Sequence, residues 1–373
     1  MSTGAVASTG RSADTDGSLL DVRHLVQEFE VRAQGGVRSG IVQAVSDVSF
    51  TLEKGETLGL VGETGSGKST LARAILQAPR PKSGEVLFEG TDLVKLKGRE
   101  LLRARRQMQM VFQDPFGSLD PKWSVARIVE EPLIAFRTGA RAERRRRVGE
   151  VLERVGLDPS RYGERRPRSL SGGQAQRAAI ARALALDPAL IIYDEAVSSL
   201  DVLIRAQVLN LLERLRSELS LTYLFIAHDL ALVKQVSDRV AVMYLGKLVE
   251  IGPAESLYRE PLHPYTVALL ASIPNPDPTA PRAPVARTIR GEPPSPIDPP
   301  SGCRFRTRCP RAQDVCAEVV PPLRQLASGH FAACHFPVSR DAPAPEASAR
   351  EVARAQSGVV APAAGGTPHQ LGN

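Results

Sequence analysis

Nine residues, Gly62 to Thr70, read GETGSGKST and limit the fold more than any other stretch. They fit the template G-x-x-x-x-G-K-[ST], with Gly62, Gly67, Lys68 and Ser69 at its fixed positions. The flanks agree. Thr57-Leu58-Gly59-Leu60-Val61 is an apolar run suited to a buried strand, and Leu71 to Leu76 continues as a helix. A loop of this kind closes backbone N–H groups around phosphate oxygens at a helix N-terminus. Lys68 can reach the β- and γ-phosphates, and the Ser69 hydroxyl can ligate Mg²⁺. The candidate nucleotide-binding residues here are Gly62, Gly65, Ser66, Gly67, Lys68, Ser69 and Thr70.

A second strand carries acids. Ala189 to Tyr193 reads ALIIY and ends in Asp194-Glu195, after Asp187-Pro188 has broken the preceding helix. A carboxylate at that position beside a P-loop holds Mg²⁺, usually through water, so Asp194 joins the binding set. Glu195 is the candidate general base for an attacking water. Leu170-Ser171-Gly172-Gly173-Gln174 has its own local logic. Ser171 and Gln174 have the S-x-x-Q spacing of a capping box, and the alanine-rich run after them favours helix. Ser171 to Gly173 is therefore a helix N-terminus with bare backbone, a second place for an anion.

GETGSGKST, LSGGQAQR, LIIYDE, Ser199-Leu200-Asp201 and Ala227-His228-Asp229 occur in the order and spacing of ABC-transporter ATPases, and the resemblance spans residues 18 to 337. It implies an α/β P-loop NTPase of ABC type, with a helical subdomain and a small cysteine-containing carboxy-terminal extension. It also implies head-to-tail pairing, so that Ser171, Gly172, Gly173, Gln174 and Asp201 act in trans on a partner's ATP. By position, Gln113 looks like the glutamine that contacts Mg²⁺ and senses membrane subunits, and His228 like the histidine at the γ-phosphate. Phe29 sits where the family stacks an aromatic on adenine; a core aromatic in an amino-terminal strand is the other reading. Two positions depart from the family pattern: Ala175 replaces the usual Arg, Gln or Lys, and Ala196 the usual Pro. Neither removes a group that touches phosphate, so they bear on turnover and not on reaction type.

Composition fits a peripheral subunit at the cytoplasmic face of a membrane. No apolar run approaches the roughly 20 residues of a membrane span, and the polar leader lacks a signal-peptide core. The net charge of +7 is mild for 373 residues. The densest basic run, Arg141 to Arg147, precedes Val148, Val151, Leu152 and Val155 and reads as a solvated helix face, not a nucleic-acid contact. The expected division is a disordered leader (1–17), a nucleotide-binding domain (18–272, helical subdomain about 113–182), a proline-rich linker with extension (273–337) and a disordered tail (338–373). Leu203 to Leu219 is expected to be helical with one buried face. Val240 to Ile251 is expected to form a hairpin around Gly246-Lys247.

The extension narrows the branch. LHPYTVALL at 262–270, GEPPSP at 291–296 and Gly302-Cys303-Arg304-Phe305 resemble the carboxy-terminal region of oligopeptide/dipeptide importer ATPases, a family that includes nickel importers. All four cysteines lie there, spaced C-x5-C-x6-C-x17-C as Cys303, Cys309, Cys316 and Cys334. Four thiolates can hold a [4Fe–4S] cluster or a zinc ion, with His330 and His335 as substitute ligands. The resemblance favours the cluster; zinc and no metal are the alternatives. The implied function is an ATP-hydrolysing importer subunit using ATP and Mg²⁺. Its partners would be a second ATPase subunit, two transmembrane permease subunits and an extracytoplasmic substrate-binding protein, with no nucleic acid. The other classes are a soluble ABC ATPase of DNA repair or translation, and a regulatory iron–sulfur module with a degenerate ATPase site.

Overall fold

The computed structural model describes residues 18–32, 38–273 and 291–338. The expected leader, the body of the proline-rich linker and the tail beyond residue 338 lie outside the described residues. Two sheets organise the rest. β1 (Ser18–Arg32), β2 (Arg38–Glu53), β4 (Ser83–Phe88) and β5 (Thr91–Asp92) form an antiparallel sheet in the order β2-β1-β4-β5. The main sheet also contains β3 (Thr57–Val61), β6 (Met108–Val111), β7 (Leu190–Asp194), β8 (Thr222–Ile226), β9 (Arg239–Tyr244), β10 (Lys247–Pro253), β11 (Arg324–Ala327) and β12 (His330–Ala332). Its order is β11-β12-β10-β9-β3-β8-β7-β6. β9, β3, β8, β7 and β6 run parallel, and the other pairings are antiparallel.

The central strands are short and apolar throughout because both of their faces are covered. Leu190 and Ile192 face one core with Leu224 and Ile226; this core also takes Leu71 and Ile75 of the helix after the P-loop. Ile191 and Tyr193 face the other core with Tyr223 and Phe225, beneath Ile180, Leu184 and Leu212. Period two thus sorts one strand into two cores, and each fully buried aliphatic side chain contributes about 1.5–3 kcal/mol relative to exposure.

The expected helical region is present as Val125–Ala135, Arg141–Arg154 and Gly172–Leu184, with shorter turns between. Ser124 caps the first of these, accepting from the Arg127 N–H. In the second, Val148, Val151 and Leu152 are buried as the spacing predicts. Its basic face is only partly solvated. Arg144 bonds Glu130 at 3.0 Å, and Arg147 donates to the Leu184 carbonyl at 2.9 Å and meets Asp187. These two arginines stitch helices together, which the charge pattern alone does not reveal. The helix after Asp201 runs Val202–Leu219 with Val208, Leu211, Leu212 and Leu215 inside, and β9–β10 is the expected hairpin.

The carboxy-terminal segment is part of the same sheet. β12 pairs with β10 through Glu250↔Ala332 and Ile251↔Phe331. Glu250 is fully buried and accepts from the backbone N–H groups of Leu262 and His263, both at 2.8 Å. Its Oε1 also lies 2.8 Å from His330 Nε2. One buried carboxylate thereby ties β10, β12 and the start of the helix Pro264–Ala271 together.

Candidate active site

Four adjacent parallel strands of the main sheet end on the same side, and each delivers one candidate group. β3 leads into the P-loop. β8 ends at Ile226, two residues before His228. β7 ends at Asp194, with Glu195 next. β6 ends at Val111, two residues before Gln113. Register locks them side by side, since Ile226 pairs with both Leu60 and Asp194, and Val111 with Tyr193. Ligands of open α/β sheets bind beyond the carboxyl ends of strands, and this is such an end.

The P-loop is wedged between two walls. A Cβ on Gly62 would stand 2.1 Å from the Met243 carbonyl oxygen of β9, and one on Gly67 would stand 2.1 Å from the Ala44 carbonyl oxygen of β2. Both glycines have positive φ, +152° and +104°, and no other residue fits there. Gly65, also left-handed, has open space where its Cβ would be. Lys68 is nearly buried, and its ammonium donates to the Gly62 carbonyl at 2.8 Å and the Glu63 carbonyl at 3.0 Å. Burial pushes its pKa down, against the pull of Glu195, Asp194 and Glu63. Ser66 Oγ is buried and, among the described residues, has no hydrogen-bond partner. Thr70 lies in the first turn of the helix Lys68–Ile75.

Ser69 Oγ donates to Asp194 Oδ1 at 2.7 Å, although 125 residues separate them. Burial pushes the Asp194 carboxyl above its ordinary range, and the Ser69 bond opposes that. Ser69, Asp194 and Gln113 line one cleft of about 800 Å³ with Arg73, Phe112 and Arg182. A hydroxyl, a carboxylate and an amide oxygen form an oxygen donor set that suits Mg²⁺. Glu195 has a left-handed backbone (φ +52°), and its N–H bonds the Ile226 carbonyl at 3.0 Å. Its Oε2 lies 3.7 Å from His228 Nδ1. Such a φ is uncommon for a non-glycine residue.

Phe29 lies on β1 opposite Val42 of β2, two residues from the Ala44 that touches the P-loop. It is 39% exposed, so the core-aromatic reading is not borne out. The capping box of LSGGQ is formed in both directions: the Ser171 N–H donates to Gln174 Oε1 at 3.0 Å and the Gln174 N–H to Ser171 Oγ at 3.4 Å. Asp201 caps the next helix through the Ile204 N–H at 2.9 Å. A Cβ on Gly173 would lie 2.5 Å from Ile204 Cγ2, and one on Gly172 3.6 Å from Leu200 Cδ2. LSGGQ and the Asp201 turn are therefore one packed unit. Ala175 and Ala196 are both buried.

The expected metal centre is not supported by the structure. Among the described residues no three His, Cys, Asp or Glu side chains come together so as to hold a metal ion. The four cysteines are unbridged neighbours. Cys303 and Cys309 lie against the main core and Cys316 is buried. Cys303 meets Cys316 through the backbone, N–H to carbonyl at 2.8 Å. Burial raises the Cys303 thiol to about 11 and Cys334 to about 12, with the other cysteines adding to the rise. The substitute ligands are engaged elsewhere, His330 with Glu250 and His335 with the Val319 carbonyl. Nothing in these contacts supports zinc or a [4Fe–4S] cluster at the cysteines.

Sequence reasoning missed the P-loop's attachment to the carboxy-terminal segment. Arg308 donates to Glu63 Oε2 at 2.8 Å and Oε1 at 3.2 Å, and Tyr265 Oη accepts from the Glu63 N–H at 2.9 Å. An acid inside the P-loop was the only hint.

A P-loop, an acidic strand end, an exposed histidine and a capped LSGGQ helix on this fold define a nucleotide-binding domain of the ATP-binding-cassette class. A family model described as "ABC transporter" matches residues 45–198, and one described as "Oligopeptide/dipeptide transporter, C-terminal region" matches 249–316. The chain is 49% identical to the oligopeptide transport ATP-binding protein AppF of Bacillus subtilis (strain 168), over 86% of this chain and 97% of that protein. It is also 49% identical to the probable peptide ABC transporter ATP-binding protein y4tS of Sinorhizobium fredii, over 85% and 90%. Among solved structures it is similar to the cassette MJ0796, a dimer in a post-hydrolysis state bound to ADP and Pi. That match has TM-score 0.56 and 30% identity and covers 63% of this chain and 98% of that one. The chain belongs to the family of ATP-binding proteins of oligopeptide/dipeptide ABC transporters. Among the described residues, no helix is long and apolar enough to cross a membrane.

Proposed function

We propose that this chain hydrolyses ATP as the peripheral subunit of a peptide importer. The observation that carries the reading is the convergence of P-loop, His228, Asp194-Glu195 and Gln113 at the ends of four neighbouring strands. Backbone N–H groups of Gly65, Ser66 and Gly67, together with Lys68 and Thr70, bind the phosphates, and Phe29 stacks on the base. Ser69, Asp194 and Gln113 would hold Mg²⁺, which when bound neutralises charge on the phosphates. Glu195 takes a proton from the water whose oxygen attacks the γ-phosphorus; the bond to the β-phosphate oxygen breaks and ADP leaves. His228, beside Glu195, donates to the γ-phosphate.

The second half of each site comes from another ATPase subunit. Ser171, Gly172, Gly173, Gln174 and Asp201 of one chain meet the nucleotide held by its partner, as suits a helix N-terminus with bare glycines. The similarity to a dimeric cassette supports this pairing. Two permease subunits, fed by an extracytoplasmic binding protein, receive the motion at the cytoplasmic face. Within the chain, 18–272 acts as the nucleotide-binding domain, with 113–182 as its helical subdomain, and 273–337 as the extension. The peptide-transporter relatives and the carboxy-terminal match support peptides as cargo in preference to nickel, and a transporter in preference to a repair or translation factor.

The test is to purify the chain with its membrane subunits and measure phosphate release in proteoliposomes. Short peptides, presented with the binding protein, are expected to stimulate release. Stimulation by a nickel salt and not by peptides sinks the cargo assignment.

A further inference from the structure

Glu63 is the second residue of the P-loop, and every polar group it has is held. Its carbonyl accepts from Lys68 Nζ at 3.0 Å and from the Ser66 N–H at 3.1 Å. Its N–H donates to Tyr265 Oη at 2.9 Å. Its carboxylate receives both Nη atoms of Arg308, at 2.8 and 3.2 Å. Two of these three attachments come from the carboxy-terminal part of the chain, about 200 and 245 positions away.

The donors stand on rigid ground. Tyr265 and Phe305 are nearly or fully buried and pack with Tyr244, at ring distances of 4.7 Å (Tyr244–Tyr265), 5.2 Å (Tyr244–Phe305) and 5.3 Å (Tyr265–Phe305). The Arg308 N–H bonds the Phe305 carbonyl at 3.0 Å, and its guanidinium lies 5.8 Å from the centre of the Tyr244 ring. The Arg308 side chain is only 7% exposed. From the same segment Arg304 donates to Gln43 Oε1 at 2.5 Å and Ser46 Oγ at 2.9 Å, on either side of the Ala44 carbonyl that walls the P-loop.

We propose that Arg308 is a positioning residue for nucleotide binding: through Glu63 it sets the P-loop from the carboxy-terminal segment and draws a carboxylate away from the phosphates. The inference rests on the P-loop being the ATP site. Two physical effects combine in it. A two-pronged arginine–carboxylate pair fixes orientation as well as position. It also neutralises a negative charge within the loop that must receive phosphate, and that charge otherwise competes for Lys68 and repels ATP.

The test uses the full-length chain with Mg²⁺ and a fluorescent ATP analogue, titrated for Kd. R308Q is expected to raise Kd about tenfold, and R308K, which keeps the charge and loses the fork, less. E63Q/R308Q is expected to bind more tightly than R308Q, because the unpaired carboxylate is gone; loss of a merely structural prop would not be relieved this way. R306Q is the control, since among the described residues the Arg306 side chain hydrogen-bonds Ser301 of its own segment and not the P-loop, and it is expected to match wild type. If R308Q proves unstable, R308K and the ordering of E63Q/R308Q against wild type carry the test. Wild-type Kd for both R308Q and R308K, with binding lost in K68A, overturns the inference and leaves the ATP-site reading standing. A double variant no better than R308Q overturns it too. Absence of ATP binding by the wild-type chain overturns both.

Discussion

Lys68 carries its charge in a place that disfavours charge. Burial lowers its pKa, and what keeps the ammonium there is two loop carbonyls and the carboxylates of Glu195, Asp194 and Glu63. Phosphate oxygens meet the same need with full negative charge, so the loop is prepared for them. Lys68→Ala is expected to abolish ATP binding by the isolated chain, measured by calorimetry; affinity within about threefold of wild type would remove Lys68 from the site. His263 shows the opposite management of charge. It is fully buried and neutral, with Nδ1 accepting from the Tyr265 N–H at 3.0 Å, and burial drops its pKa from 6.5 to about 3. Below pH 6.5 the unfolded chain takes up a proton there that the folded chain refuses. Stability therefore falls as pH drops from 6.5 toward 3, by at most about 1.4 kcal/mol per unit from this one group. His263→Asn keeps an acceptor at the helix start. It is expected to flatten the decline of the thermal midpoint across that window; an unchanged slope would assign the acid loss to other groups.

At the scale of elements, the helix Gly172–Leu184 joins local chemistry to assembly. Its capping box satisfies its own first turn, while its two opening glycines are pressed against Leu200 and Ile204. Ser171→Ala removes one cap acceptor and is expected to cost about 0.5–2 kcal/mol of stability in denaturant melts. ATP affinity at this chain's own P-loop is expected to be unchanged, while hydrolysis by the assembled pair falls; a parallel loss of binding would contradict action in trans. Much of this was legible in the sequence, because glycine spacing, capping residues and apolar runs are local signals. Phe29 was readable only as one of two possibilities, since exposure depends on which strand lies beside it. The Arg144 and Arg147 contacts were hidden for a similar reason, because a helix face shows its charges but not what packs against them. The cysteines are a case where clustered spacing suggested ligands and the structure shows only that Cys303 and Cys309 pack against the core.

At the scale of the molecule, the carboxy-terminal segment completes the sheet that holds the proposed catalytic groups. β12 extends it through β10, Glu250 fastens the join, and Arg308 reaches the P-loop from the same segment. No periodicity encodes a bond between residues 63 and 308, so such a link emerges only from the folded topology. The central claim remains that Glu195 activates water at the P-loop site. Phosphate release by Glu195→Gln, set beside its ATP affinity, tests this most directly. Affinity within about twofold of wild type, with hydrolysis reduced by a factor of about 10²–10⁴, is the predicted result. Wild-type turnover in that variant would contradict the account.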